Sequence, residues 1–153
     1  PQASMVHRLD LDTSGIMVIP LNRACHAHLS RQFQERLVYK RYEAVVWGVV
    51  ARDRGEISLP IVSDWERRPL QKICFDTGRE ADRARLQLMP QTGRSHQLRI
   101  HCRELGHPIL GCDMYAHEAA LAMAPRLLLH ASELGFTHPT TGDWLQEACP
   151  PDF

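Results

Sequence analysis

The chain has 153 residues, 44% of them hydrophobic, and its 18 basic and 18 acidic side chains cancel to a formal net charge of zero. That length supports one domain with its own core and is short for two. No apolar run approaches the roughly 20 residues of a membrane span, and the chain does not open on a signal-peptide pattern, so a soluble, cytoplasmic protein with no membrane contact is expected. The five cysteines, Cys25, Cys74, Cys102, Cys112 and Cys149, are dispersed and form no Cys-x-x-Cys pair, which favours reduced structural thiols over a zinc or redox site.

In chain order, the first informative run is His7-Arg8-Leu9-Asp10-Leu11-Asp12-Thr13-Ser14-Gly15, which passes directly into Ile16-Met17-Val18-Ile19-Pro20-Leu21, a predicted strand. A carboxylate at the mouth of a strand is aimed by a rigid element while a turn glycine lets a substrate come close. Taken alone, the same run reads equally well as a loop whose Asp, Thr and Ser side chains bond backbone amides. Asn22 is predicted to cap an amphipathic helix with Ala24, Leu29, Phe33 and Leu37 on its apolar side. Tyr42 to Gly48 alternates in the manner of a strand. Ile57 to Ile61, Lys72 to Phe75 and Ala84 to Met89 read as further short strands, and Gly93 to Leu105 as a loop entering a helix. Leu127 to His130 and Glu133 to Phe136 are two more strand candidates, and Pro139 to Gly142 a turn. The sequence shows no internal repeat, low-complexity segment or linker.

Neutral charge does not point to nucleic acid, because Lys and Arg contacts to phosphate normally dominate such binding. All of the basic residues except Lys40 and Lys72 are nevertheless arginines, the side chain that pairs bidentately with phosphate and stacks on bases. Three pairs stand out among them: Arg41 beside Lys40, Arg67 with Arg68, and Arg94 near Arg99. A local basic cleft on a neutral molecule reconciles the two facts.

The opening run is followed, in order, by Lys40-Arg41-Tyr42-Glu43-Ala44-Val45-Val46-Trp47-Gly48, then Thr92-Gly93-Arg94-Ser95-His96-Gln97-Leu98-Arg99-Ile100-His101. After these come Gly106-His107-Pro108-Ile109-Leu110-Gly111-Cys112-Asp113, Arg126-Leu127-Leu128-Leu129-His130-Ala131 and Phe136-Thr137-His138-Pro139. This series resembles the RluA-type family of RNA pseudouridine synthases from His7 to Phe153. Asp64-Trp65-Glu66-Arg67-Arg68-Pro69-Leu70-Gln71-Lys72 with Thr77-Gly78 looks like the branch that modifies a loop uridine in both transfer RNA and large-subunit ribosomal RNA.

The resemblance implies an α+β fold, a twisted, mainly antiparallel, mixed sheet with flanking helices and a central cleft, built as one catalytic domain over 1–153. It also implies about a dozen further residues between Ala81 and Asp82, and two strands with a Lys-Pro-x-Gly segment ahead of His7. Carried over residue by residue, Asp10 is the catalytic aspartate, acting as nucleophile or as the base that triggers glycosidic cleavage. Arg99 pairs with it. Arg8 fills the space left by the flipped base or grips the flanking phosphate, Tyr42 lies against the uracil and relays a proton, and Leu129 lines the apolar side. His7, Thr13, Arg67, Arg68, Arg94 and His96 are candidate RNA contacts, with Asp12 and Asp113 as structural caps. The partner is RNA, a transfer RNA anticodon stem-loop or large-subunit ribosomal RNA, and the enzyme is expected to act as a monomer without cofactor or metal. His96 and His101 lack a usual zinc spacing.

Two rivals frame the expectation. Asp10-Leu11-Asp12-Thr13 also fits the aspartate nucleophile motif of magnesium-dependent haloacid-dehalogenase-type phosphatases, but the preceding Met5-Val6-His7-Arg8-Leu9 is broken by His and Arg where those enzymes need a hydrophobic strand. An RNA-binding assembly module without catalysis would leave the combination of Asp10, Tyr42 and Arg99 without a use.

Overall fold

The computed structural model describes residues 4–59, 71–79 and 82–153. Arg67 and Arg68, and the 60–61 end of the third predicted strand, lie outside the described residues. Chain order gives β1 (Ser14–Gly15), α1 (Arg23–Gln34), β2 (Tyr39–Trp47), β3 (Arg54–Leu59), β4 (Gln71–Arg79), β5 (Arg83–Pro90), α2 (Gln97–Glu104), α3 (Glu118–Ala122), β6 (Leu129–Thr137) and β7 (Trp144–Ala148). Seven strands form one sheet in the order β1-β6-β2-β5-β4-β3, with β7 pairing with β6. Every pairing is antiparallel except β1 with β6. This is the mixed, mainly antiparallel α+β architecture expected.

The core follows from alternation along the two central strands. Ala44 faces Leu86 and Val46 faces Ala84 across the β2–β5 ladder, and all four are fully buried. Leu98 and Cys102 of α2 pack on that face with Ile109, Cys112 and Leu127. Each buried leucine contributes about 2 kcal/mol by removal of apolar surface from water. A smaller cluster of Val45, Leu110 and Ala120, with Trp47 and Phe153 against it, covers the opposite side of β2.

Asn22 caps α1 as its sequence demands, accepting from the Cys25 amide at 2.9 Å. The helix ends at Gln34, short of Leu37, because Arg36 adopts a left-handed φ of 60°. Leu37 then donates to the Gln32 carbonyl and Arg36 to that of Phe33, a helix stop usually made by glycine. Gln32 locks the helix to the sheet: its amide oxygen accepts from the Thr137 amide and its amide nitrogen donates to the Thr137 carbonyl, both at 2.8 Å.

Two strand expectations need correcting. None of the predicted strand at 16–21 is strand: the pairing with β6 lies two residues earlier, at Ser14–Gly15, and its ladder covers only His130 and Ala131, stopping where the β6 register breaks at Ser132. The two candidates at 127–130 and 133–136 are one strand with an irregularity: the register jumps from Arg41↔Glu133 to Tyr42↔Ala131, leaving Ser132 as the extra residue. Its hydroxyl donates to the Arg41 carbonyl at 3.1 Å and so satisfies the group the bulge would orphan. Such an insertion flips the alternation that defines a strand in sequence.

Candidate active site

Asp10 begins a tight turn in which the Thr13 amide donates to its carbonyl at 3.0 Å. The chain then meets the sheet at β1, where Ser14 lies beside His130 and Gly15 beside Ala131. Gly15 has a φ of +120°, and a Cβ there would lie 2.3 Å from the Ala131 carbonyl oxygen; only glycine permits this approach. Ile16 completes the seam by donating to that carbonyl at 2.9 Å. Ser14 and His130 add a side-chain tie of 2.8 Å. Because the other ring nitrogen of His130 faces the Cys149 carbonyl at 2.9 Å, the ring proton sits there, and Nδ1 accepts from the Ser14 hydroxyl.

The turn opens into a cavity of about 80 Å³ lined by Arg8, Asp10, Thr13, Tyr42, Arg94 and Leu129 among others. Six sequence-predicted residues therefore meet in one place. Among the described residues the Asp10 carboxylate has no hydrogen-bond or ion-pair partner of its own, and the Thr13 hydroxyl is buried without one. Burial first and the Asp10 charge second push the Tyr42 hydroxyl up to about 12, so it keeps its proton across the physiological range. Leu98 and Leu129 supply apolar wall, while Arg8 and Arg94 stand exposed at the mouth.

Other expected residues sit elsewhere. Arg99 is 2% exposed and its Nη2 lies 3.6 Å from Asp12 and 3.7 Å from Asp113. Among the described residues no ion pair joins it to Asp10, and it does not line the cavity. In place of the expected Arg99–Asp10 pair, the guanidinium has ion-pair contacts with the two residues read as caps, without a hydrogen bond at Nε or Nη2. His96 occupies the left-handed position before α2 and meets the Tyr115 hydroxyl at 2.8 Å. His7 accepts from the Val18 amide at 3.1 Å and stacks on Phe33 at 4.7 Å. Burial and then the Lys40 charge lower its pKa to about 4, which makes it a neutral brace rather than a cation for phosphate.

The site also contains residues not singled out from sequence. Gln97, 3% exposed, accepts from the Thr92 hydroxyl and the Arg94 amide, both at 3.0 Å, and so shapes the Thr92–Arg94 wall. Lys40 enters the same cavity from β2. Both lie within runs quoted for the family resemblance, but only the fold shows that they face Asp10. Beyond the cavity, a groove of about 660 Å³ runs past His7, Arg8, His26, Arg36, Lys40 and Arg94 with no carboxylate in its lining. The neutral chain thus concentrates positive charge at one opening. Among the described residues no three His, Cys, Asp or Glu side chains converge as a metal site, and no helix is long and apolar enough to cross a membrane.

The sheet of this topology, with its aspartate turn and cationic mouth, belongs to an RNA-modifying enzyme class: the RNA pseudouridylate synthase family model matches residues 1–104. The chain belongs to that family and is an RNA pseudouridine synthase. The dual-specificity RNA pseudouridine synthase RluA of Pasteurella multocida is 48% identical, with 96% of this chain and 73% of the relative covered. The Escherichia coli K12 protein of the same name is also 48% identical over 165 aligned positions, covering 100% of this chain and 75% of its own. Human RNA pseudouridylate synthase domain containing 1 superposes with a TM-score of 0.85 at 28% identity, covering 100% of this chain and 71% of that one.

Proposed function

We propose that this chain isomerises loop uridines in both transfer RNA and large-subunit ribosomal RNA, with Asp10 as the group that attacks the nucleotide or triggers release of its base. The carrying observation is the convergence of Asp10, Tyr42, Thr13 and Leu129 with Arg8 and Arg94 around one cavity. Dual specificity is supported by the 48% identity to relatives that bear that description.

The reacting uracil must leave its stack before its N1 and C5 atoms are within reach. Arg8 and Arg94 are positioned to hold the flanking backbone as it does so, and Leu98 and Leu129 provide a dry wall for the base. Asp10, with no hydrogen-bond or ion-pair partner among the described residues, is available to the nucleotide. The glycosidic bond from N1 breaks, the uracil turns, C5 bonds to the sugar, and the proton lost from C5 is balanced by one gained at N1. Tyr42 keeps its own proton and contacts the base as a donor during the turn. No atom enters or leaves, so the residues need supply only position, a negative charge and a proton path.

We also read the chain as one catalytic domain. The alignment to the Escherichia coli relative runs over 165 positions against 153 residues here, a difference that fits the dozen or so further residues the resemblance implies between Ala81 and Asp82.

The test is incubation of the full chain with a transfer RNA and a ribosomal RNA fragment, mapping pseudouridine by carbodiimide-blocked reverse transcription. The expected result is modification of one loop position in each RNA, with a loss of roughly 10³-fold or more in Asp10→Ala. Bound but unmodified RNA would leave a binding module in its place.

A further inference from the structure

Lys40 stands two residues before Tyr42 on β2 and lines three connected hollows: the Asp10 cavity, the wide groove, and a shallower groove beside Leu37, Tyr39 and Met89. No other cation among the described residues lines all three. Among the described residues its Nζ has one hydrogen-bond partner, the Thr92 carbonyl at 3.4 Å, and no carboxylate within ion-pair distance. It rests against the backbone of Gly93, where an added Cβ would lie 3.6 Å from Nζ. An ammonium carries three donors, and a partly buried cation without a counter-ion is unfavourable unless an anion arrives. Burial first and Arg36 second lower the Lys40 pKa, the direction that an incoming anion would reverse.

We propose that Lys40 is the phosphate seat at the neck between groove and cavity, donating to a phosphodiester oxygen of the bound RNA strand and so fixing the flipped nucleotide over Asp10. The anion class follows from the groove, where Arg8, Arg36 and Arg94 join Lys40 and no carboxylate lines the wall. A strand, rather than a free ion, follows from the geometry: the seat lies between a hollow large enough for several nucleotide groups and one that ends at Asp10. The inference rests on the RNA reading above and adds a positioning residue to it.

The test compares Lys40→Met and Lys40→Arg, each in the Asp10→Ala background so that RNA is bound but not turned over, from about 0.05 to 0.3 M salt. Loss of one phosphate contact lowers the slope of log affinity against log salt by about 0.7 to 0.9. Lys40→Met is expected to show that drop with about tenfold weaker binding at low salt, and Lys40→Arg to retain the wild-type slope. With Asp10 intact, Lys40→Met raises KM for the RNA by about tenfold and leaves kcat within a few-fold. A merely structural lysine would move the melting temperature and not the slope. An unchanged slope, or a fall in kcat at constant KM, overturns the proposal. Inorganic phosphate that binds the wild-type chain at millimolar concentration through Lys40, while RNA binding ignores that residue, overturns the strand in favour of a free anion. A Lys40-dependent slope without pseudouridine in the wild type keeps the seat and removes the isomerase reading. Normal pseudouridine with an unchanged slope does the reverse.

Discussion

The two sides of the Asp10 turn are built on opposite principles. Behind it, Arg99 is buried between Asp12 and Asp113, and β1 is pressed onto β6 by backbone contact. In front, Asp10 has no partner among the described residues, the Thr13 hydroxyl is unsatisfied and Lys40 faces an open hollow. Polar groups left unpaired cost stability: behind the turn the Arg99 Nε and Nη2 are buried without a hydrogen bond and rest on two ion-pair contacts, whereas the unpaired groups in front face a cavity that an RNA can fill. The rear half holds the turn still while the front half holds its binding capacity in reserve.

Substitutions that separate stability from activity sharpen this contrast, and the largest separation belongs to Asp10. Asp10→Ala, proposed to abolish pseudouridine formation, is expected to melt within about 0.5 kcal/mol of the wild type, since the carboxylate makes no hydrogen bond or ion pair among the described residues. Arg99→Met, on the other side, removes a buried guanidinium from two half-exposed carboxylates and is expected to cost about 2 kcal/mol in urea unfolding. Its activity falls through displacement of the turn. If Arg99→Met were as stable as the wild type, the rear clamp would not be what holds the turn.

His7 provides a test by pH. Its pKa is about 4 in the fold against about 6.5 when unfolded, so above pH 6.5 both states hold it neutral and stability is complete. As pH falls below 6.5 the unfolded chain takes the proton first, and stability declines until about pH 4. At pH 5 the loss is about 2 kcal/mol. His7→Gln keeps an acceptor for the Val18 amide, and unfolding at pH 7 and pH 5 should show that part of the decline gone. The smallest effect has the opposite sign: Arg36→Gly relieves the left-handed φ of 60° and should stabilise by about 0.5–1 kcal/mol, while weakening RNA binding at low salt.

Local chemistry was readable in the sequence and partnership was not. The Asn22 cap, the apolar side of α1 and the alternation of β2 and β5 depend on neighbours in the chain, and they are where the pattern puts them. The strand expected at 16–21 is absent, and its place is taken by the two-residue pairing at Ser14–Gly15, because where a strand forms belongs to the pair. The Ser132 bulge split one strand into two on paper. The five-residue α3 and the edge strand β7, all of whose residues are exposed, carry too little apolar periodicity to register. At the site, the Asp10 turn, Tyr42, Arg8, Arg94 and Leu129 come together as their motifs imply. Arg99 lies one shell back, since the spacing from Thr92 to Arg99 cannot tell which carboxylate the first turns of α2 will meet. Lys40 and Gln97 needed the fold to show that they face the cavity.

The seam at Gly15 governs how the site tolerates change. Its placement comes from main chain against main chain, with no side chain as spacer, so Leu11, 97% exposed at the tip of the turn, is free to vary without moving the Asp10 carboxylate. A combinatorial library randomised at that tip, with Gly15 and Asp10 held, would alter the surface offered to incoming RNA while keeping the reactive group in register. Retargeting the enzyme to new loops is therefore a problem of decorating a fixed mount.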